Sequence, residues 1–158
     1  MNSMIKRAKF SADRKYRYSL ERIWITRKPF VCFVGLNPST ADENLDDPTI
    51  RRCIRFSSDW GYGGLVMVNL FAFRSTNPKK LYLEDNPIGD ENDKYLRLYS
   101  QHAGITVVAW GTNGEHMKRG ENVIKLLTNP QWLTHTKGGH PGHPLYLKAD
   151  LKPVPFSK

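Results

Sequence analysis

Short apolar runs alternate with amphipathic segments through most of the chain. Mainly apolar runs are typical of strands buried on both faces, and they occupy residues 30–36, 65–70 and 105–110. Residues 131–135 predict a short fourth strand. Apolar residues at helical spacing predict helices over residues 49–60, 90–101 and 115–127. This alternation predicts an α/β fold with a short, mainly parallel central sheet that is covered on both faces.

The two ends of the chain carry weaker patterns. Residues 16–26 alternate loosely between apolar and polar side chains, which indicates one strand or a small hairpin. We expect residues 1–14 to form a flexible amino-terminal arm, and residues 137–158, which are rich in Gly, Pro and His, to be irregular. The chain shows no repeat and no low-complexity segment, so we expect residues 1–158 to form a single domain.

Polar residues follow the predicted strands at their carboxyl ends. In open α/β sheets this edge is where ligands bind, because the loops after neighbouring parallel strands meet there. The loops expected along this rim contain Leu36, Asn37, Pro38 and Ser39 after the first strand, Asn69 and residues 70–75 after the second, and residues 111–113 and 138–145 further on. The sequence therefore predicts one ligand site at this rim.

An acidic segment lies between the first strand and its helix. Asp47 precedes Pro48, and this pair could begin the helix with an aspartate cap and a proline at the first position. The carboxylates of this segment could alternatively supply a catalytic group or hold a cation such as magnesium, or they could form a solvated loop. They belong to Asp42, Glu43, Asp46 and Asp47.

Composition restricts the class of protein. An apolar content of 39% and a charged content of 25% are typical of a globular chain. No apolar stretch approaches the roughly 20 residues that cross a bilayer, and the basic amino terminus lacks the apolar core of a secretory signal. Cys32 and Cys53 cannot form a disulfide framework, so we expect buried thiols and a cytoplasmic protein.

The charge balance points to a polyanionic partner. The formal net charge is +9, which suggests nucleic acid, DNA above all, or a nucleotide. Arg51, Arg52 and Arg74 could bind phosphate groups, and surface salt bridges are the alternative. The spacing of His135, His140 and His143 matches no standard zinc motif. We expect neither a metal nor another cofactor.

The rim motifs resemble the DUF1643 family of bacterial and phage proteins, whose members share a domain of unknown function. The resemblance covers nearly all of residues 16–156 and is specific, although it implies no activity. Its motifs are LNPSTAD at 36–42, DDPTIRRC at 46–53, WGYGG at 60–64, VNLFAFR at 68–74, AWG at 109–111, GHP at 139–141 and HPLYL at 143–147.

Four of these motifs also resemble, in order and approximate spacing, those of the uracil-DNA glycosylase superfamily. They are Gly35-Leu36-Asn37-Pro38, Val68-Asn69, Trp110-Gly111 and His140-Pro141-Gly142. The resemblance implies a three-layer α/β/α sandwich. It also implies an enzyme that hydrolyses or otherwise processes an N-glycosidic bond at an ordinary or modified base, which a duplex would have to extrude.

The same resemblance implies roles for individual residues. Asn37 would orient the attacking water, Asn69 would read the edge of the base, and His140 would stabilise charge on the departing base. Phe71 or Phe73 could stack on the base. The remaining expected substrate contacts are Leu36, Pro38, Ser39, Arg74 and His143, with Arg51 and Arg52 on the nucleic-acid backbone.

The chain departs from the superfamily pattern at two places. Asn37 stands where the most active members have Asp, and an amide cannot act as a general base, so Asp46 and Asp47 become the candidates for that role. Pro141-Gly142-His143-Pro144 replaces Pro-Ser-Pro and adds a second imidazole. Two other functions therefore stay open: a nucleotide or nucleic-acid binding module without catalysis, and a metal-dependent enzyme that acts on a free nucleotide through residues 42–47.

Overall fold

The computed structural model describes residues 4–157, which form a seven-stranded sheet with four α-helices. The strands are β1 (Ile5–Phe10), β2 (Arg17–Ile23), β3 (Phe30–Gly35), β4 (Gly64–Asn69), β5 (Ile105–Val108), β6 (Pro130–Trp132) and β7 (Val154–Pro155). The helices are α1 (Pro48–Asp59), α2 (Lys79–Leu83), α3 (Asn92–His102) and α4 (Arg119–Ile124). Two 3₁₀ segments, Thr112–Lys118 and Pro144–Tyr146, complete the structure.

The centre of the sheet is parallel. In space the strands follow the order β1-β2-β4-β3-β5-β6-β7, and β4, β3, β5 and β6 run in one direction. The chain leaves β3 towards β4 on one side and later returns to place β5 on the other. A topological switch point therefore lies between β3 and β5, where open α/β sheets form a ligand crevice. The predicted α/β fold with a mainly parallel central sheet is confirmed.

Each face of the sheet packs against different helices, because alternate strand residues point to opposite faces. Val31 and Phe33 of β3 belong to one apolar cluster with Ile50, Cys53 and Phe56 of α1. The neighbouring residues Cys32 and Val34 belong to a second cluster, which contains Leu81 of α2, Leu96 of α3 and Val123 of α4. Both cysteine thiols are free and buried as predicted, and burial raises the pKa of each.

The outer strands differ from the sequence-based expectation. Of the predicted flexible arm, residues 1–3 lie outside the described part of the chain, whereas Ile5–Phe10 pairs antiparallel with β2. β1 gives little strand signal because Lys6, Arg7 and Lys9 are exposed, as is typical of a charged edge strand. The tail expected to be irregular also contains a strand, since β7 pairs with β6.

The last predicted helix is much shorter than residues 115–127. It begins only at Arg119, after Met117 and Lys118 adopt left-handed backbone angles that interrupt the helical path. Gly114 and Gly120 pack against the indole of Trp110, where a β-carbon on Gly114 would overlap the ring. The spacing of apolar residues predicts one helix over residues 115–127. The structure instead has a kinked segment there, next to glycines that pack closely on Trp110. Within residues 4–157, no helix is long and apolar enough to cross a membrane.

Candidate functional site

A cavity of about 630 Å³ opens at the carboxyl ends of the parallel strands. Its walls come from the loops that follow β3, β4, β5 and β6, from the start of α1, and from the segment around the second 3₁₀ turn. Of the predicted site residues, the cavity brings together Leu36, Asn37, Pro38, Ser39, Asp47, Asn69 and His143. It spans the switch point between β3 and β5, as the rim motifs predict.

Asn69 is held by a buried arginine that the sequence motifs do not single out. The Nη2 of Arg17 donates to Oδ1 of Asn69 over 3.4 Å, and its Nη1 donates to the Ala41 carbonyl over 3.0 Å. Because a guanidinium only donates hydrogen bonds, the oxygen of the Asn69 amide must face it. The Asn69 nitrogen, which lies beside Gly35, is therefore the polar atom left for a ligand. This arrangement presents N–H donors to the cavity.

Asn37 has the opposite orientation. Its Nδ2 lies within hydrogen-bonding distance of the carbonyl oxygens of Pro38, Phe73 and Ser75, at 3.1, 3.4 and 3.0 Å. These contacts join the loop after β3 to the loop after β4. They leave the amide oxygen of Asn37 as its atom for water or ligand, so this side chain offers an acceptor.

Among the residues that the structure describes, Asp47 is the one acidic residue in the wall of this cavity. Its Oδ1 accepts from the Ile50 N–H over 2.9 Å, which confirms the predicted helix cap with Pro48 at the first position. Its Oδ2 accepts from the Ala41 N–H over 3.4 Å. Burial lowers the pKa of nearby Arg17 to about 10, and the charge of Asp47 opposes that effect. Arg17 is thus still cationic at neutral pH.

His143 supplies an imidazole to the same cavity. Its Nδ1 accepts from the Leu145 N–H over 3.3 Å, so in the neutral ring the proton resides on Nε2. Burial lowers the pKa of His143 below 6.5, although the charge of Asp47 partly offsets this effect. A neutral imidazole with a free Nε2–H donor therefore lines the cavity at physiological pH. The ring of Tyr146, which is 84% exposed, lies 5.5 Å from that of His143 and also lines the cavity.

The lowered pKa of His143 predicts an acid-sensitive contribution to stability. The unfolded chain takes up this proton near pH 6.5 and the folded chain only at lower pH, so acid favours unfolding. We expect the free energy of unfolding of the native protein to fall relative to that of a His143→Gln variant as the pH falls below 6.5. Above pH 6.5 the two free energies should change with pH in parallel. Denaturant unfolding at a series of pH values measures this difference. NMR titration of the His143 ring should show a pKa below the ordinary histidine value of about 6.5.

The acidic segment beside the cavity is a structural loop. Arg22 is fully buried; its Nε lies 2.7 Å from Oδ1 of Asp46, and its Nη2 donates to the carbonyls of Asp42 and Leu45. The Asp42 carboxylate accepts from two backbone N–H groups of the loop, which lower its pKa. Asp46, unlike Asp47, does not line the cavity. Between residues 4 and 157, no three His, Cys, Asp or Glu side chains are grouped to hold a metal ion.

His140 lies in a different cavity from the other predicted site residues. This second cavity, of about 640 Å³, has Trp110, Glu115, Lys118 and Phe156 in its walls. The Nε2 of His140 lies 3.1 Å from Oε1 of Glu115. The structure therefore does not bring His140 together with Asn37 and Asn69, and His143 is the imidazole at the central cavity. Trp110 lines both cavities.

The predicted aromatic and phosphate contacts lie outside the central cavity. Phe71 is completely buried in the core, and Phe73 packs edge-on against Tyr16. Arg52 donates to the Leu147 carbonyl, and exposed Arg51 donates to the Asp46 carbonyl. Arg74 lies in a shallow groove next to the cavity. None of these five side chains lines the cavity itself.

The cavity also contains residues that the motifs did not assign to the site. Arg17 and Tyr146 are the most informative, and the others include Thr134 and Thr136; Thr112 and Asn113 also line the cavity and belong to the predicted rim loop at 111–113. An arginine inside an alternating strand pattern looks like a solvent-facing position, so Arg17 gave no usable signal. Tyr146 stands within the motif HPLYL at 143–147, and this motif was the signal available in the sequence.

Comparison with known proteins identifies a family. No curated protein and no solved structure gives a significant match to this chain. The model of the family described as "Protein of unknown function (DUF1643)" matches residues 17–145. The match begins at Arg17 and ends at Leu145, so it includes Asn37, Asn69 and His143. The chain therefore belongs to the DUF1643 family.

Proposed function

We propose that the central cavity binds a nucleobase and that the protein is a nucleic-acid-acting enzyme that hydrolyses an N-glycosidic bond. One observation carries this proposal: Asn37, Asn69, Asp47 and His143 converge on a single cavity at the topological switch point of the sheet. A volume of about 630 Å³ is in the range of small-molecule sites and suits a nucleoside. On this proposal, the sheet with helices on both faces is a uracil-DNA glycosylase-like sandwich.

The hydrogen-bonding groups favour a base with carbonyl oxygens. Arg17 occupies the oxygen of Asn69, and Leu145 occupies Nδ1 of His143, so both side chains present N–H donors. Uracil, thymine and their 5-substituted derivatives carry two carbonyl acceptors, at C2 and C4, which could take one donor each. The exocyclic amino group of cytosine or adenine is itself a donor and would face a donor without a partner, which is costly when buried. We therefore assign the substrate to bases of the uracil and thymine type.

The same residues suit the charges that develop during hydrolysis. As the bond between the sugar C1′ and the base nitrogen breaks, its electron pair leaves with the base and positive charge forms on the sugar. A water held by the Asn37 oxygen would attack C1′, and the Asp47 carboxylate would stabilise the cation and accept the proton of the water. The Nε2–H of His143 would stabilise the anionic base oxygen. Tyr146 could stack on the extruded base.

Conversion of Asp47 to asparagine tests the chemistry separately from the fold. Asparagine caps helices as well as aspartate does, so the helix start should be retained while the negative charge is removed. We expect Asp47→Asn to slow base release by about 100-fold, the usual size of an acid–base contribution. Release is measured as alkali-labile breaks in oligonucleotides that carry uracil, mismatched thymine, or 5-hydroxymethylated or glucosylated pyrimidines. Asp59→Asn, an exposed change in the same helix, should have no effect.

Binding without catalysis is the second candidate function. The observation that favours it is the engagement of both Asp47 oxygens by backbone N–H groups, which competes with a role in proton transfer. Oligonucleotide binding without base release from any of these substrates would support this candidate. The affinity should then fall steeply with salt, because phosphate contacts release counterions.

A further inference from the structure

A shallow groove extends from the central cavity across the neighbouring surface. It is lined by Arg14, Lys15 and Arg74 together with Phe73 and four hydroxyl side chains, which belong to Ser39, Thr40, Ser75 and Thr76. Three of these, Ser39, Ser75 and Thr76, also line the central cavity. The groove and the cavity therefore adjoin at these three residues, which is close enough for different parts of one ligand to contact both.

Backbone hydrogen bonds hold the walls of the groove together. The Arg74 N–H donates to the Lys15 carbonyl, and the Ser75 N–H donates to the Pro38 carbonyl, each over 2.9 Å. Asn37 bridges the same loops through its side-chain nitrogen. The basic residues are consequently attached to the loop that carries Asn37, so the distance between groove and cavity is set by the fold.

The charge of the groove is positive after its ion pairs are counted. Arg14 pairs with Glu43 over 2.8 Å, and its charge is largely compensated there. Within the described chain, Lys15 and Arg74 have no carboxylate at ion-pair distance, although the more distant Asp13 and Asp42 contribute weaker attraction. The Arg74 guanidinium stacks over the Phe10 ring at 4.8 Å, and its buried Nε has no hydrogen-bond partner among the described residues.

We propose that this groove binds the phosphate group attached to the nucleoside whose base occupies the central cavity. The inference rests on the proposed base site and adds the residues that hold the phosphate: Lys15 and Arg74, with the hydroxyl groups of Ser39 and Thr76. Arginine and lysine beside hydroxyl donors are the usual phosphate ligands of nucleic-acid-binding proteins. Arg51 and Arg52, the residues expected from the sequence to contact the backbone, line neither the groove nor the cavity.

Binding of three ligands that share one base tests the groove. The ligands are deoxyuridine, deoxyuridine 5′-monophosphate and an oligodeoxyuridylate of about ten nucleotides, a length suited to a single-strand site. The variants are Lys15→Ala, in which an exposed side chain is removed, and Arg74→Gln. Lys28→Ala is the matched control, since Lys28 is exposed just before β3, at the opposite end of the parallel strands.

We expect each groove variant to weaken oligonucleotide binding severalfold at low salt and to leave deoxyuridine binding unchanged. The slope of the logarithm of the binding constant against the logarithm of the salt concentration should become shallower by about 0.7. If the groove variants lose as much affinity for deoxyuridine 5′-monophosphate as for the oligonucleotide, the proposal is supported and a single phosphate is the ligand. A loss confined to the oligonucleotide supports it with the strand backbone as the ligand. An unchanged salt dependence in both variants would overturn it.

Asn69→Ala separates this proposal from the proposed function. If the groove is correct and the base site is wrong, Asn69→Ala leaves deoxyuridine binding unchanged while Lys15→Ala still weakens the oligonucleotide. If the base site is correct and the groove is wrong, Asn69→Ala weakens deoxyuridine binding, and Lys15→Ala leaves oligonucleotide binding unchanged. Thermal unfolding of Arg74→Gln checks that this variant is folded, and Lys15→Ala tests the groove independently of that result.

Discussion

Replacing Arg22 with methionine should lower the free energy of unfolding by about 3–5 kcal/mol, the usual cost of removing one partner from a buried ion pair. The arginine is fully buried, and its guanidinium satisfies Asp46 and the carbonyls of Glu21, Asp42 and Leu45. Methionine fills much of the same volume but donates no hydrogen bond, so several polar groups would lose their partner. Urea-induced unfolding of the native and variant proteins measures the loss.

Arg51→Met is the control for this substitution. Arg51 donates to the Asp46 carbonyl from an exposed position in the first turn of α1, so its loss should change stability by no more than about 0.5 kcal/mol. Equal stability of the Arg22 and Arg51 variants would mean that the acidic loop does not depend on the buried guanidinium. Because this loop leads directly into Asp47, we also expect Arg22→Met to disturb the cavity in variants that remain folded.

Asn69→Asp should reduce kcat/KM for a uracil-type base by about 100-fold, the cost of losing one preorganised donor at developing negative charge. The two side chains have the same shape, and an aspartate oxygen can still accept from Arg17. The change therefore acts at the other atom, where an N–H donor becomes an oxygen that repels the carbonyl of the base. Single-turnover base release measures the effect, and deoxyuridine binding reports it if turnover is slow.

The matched control is Asn44→Asp, because Asn44 is exposed and does not line the cavity. It introduces the same charge and should leave the rate unchanged. An Asn69→Asp variant with native activity would contradict the donor role assigned to this amide. A shift of preference towards cytosine would support that role, since an aspartate oxygen can accept from its amino group.

The elements that the sequence predicts are those with local causes. The three buried strands follow from continuous apolar runs, because both faces of the central sheet are covered. The cap at Asp47 follows from the adjacent Asp-Pro pair, whose preference for a helix start needs no tertiary contact. The rim location of Asn37 and Asn69 follows from the parallel sheet itself, in which the ends of neighbouring strands align.

The features that the sequence does not predict depend on distant partners. Arg17 and Arg22 look like solvent-facing positions of a strand, and only the fold shows that all their partners except the Glu21 carbonyl lie 20 to 52 residues away along the chain. His140 and His143 are three positions apart in one irregular segment, so periodicity cannot decide which of them reaches the cavity. Between and beside them the backbone has a positive φ at Gly139 and a 3₁₀ turn that begins after His143, and neither feature is visible in a hydrophobic pattern.

The shared wall between the two cavities gives the molecule a built-in optical reporter. Trp110 lines both cavities, whereas Trp24, Trp60 and Trp132 line neither of them. The indole is only 4% exposed, so its emission reflects the local surroundings more than bulk solvent. A ligand that enters either cavity changes those surroundings directly. Intrinsic fluorescence can therefore follow occupancy in solution without a label, and comparison with Trp110→Phe isolates the signal of this one ring.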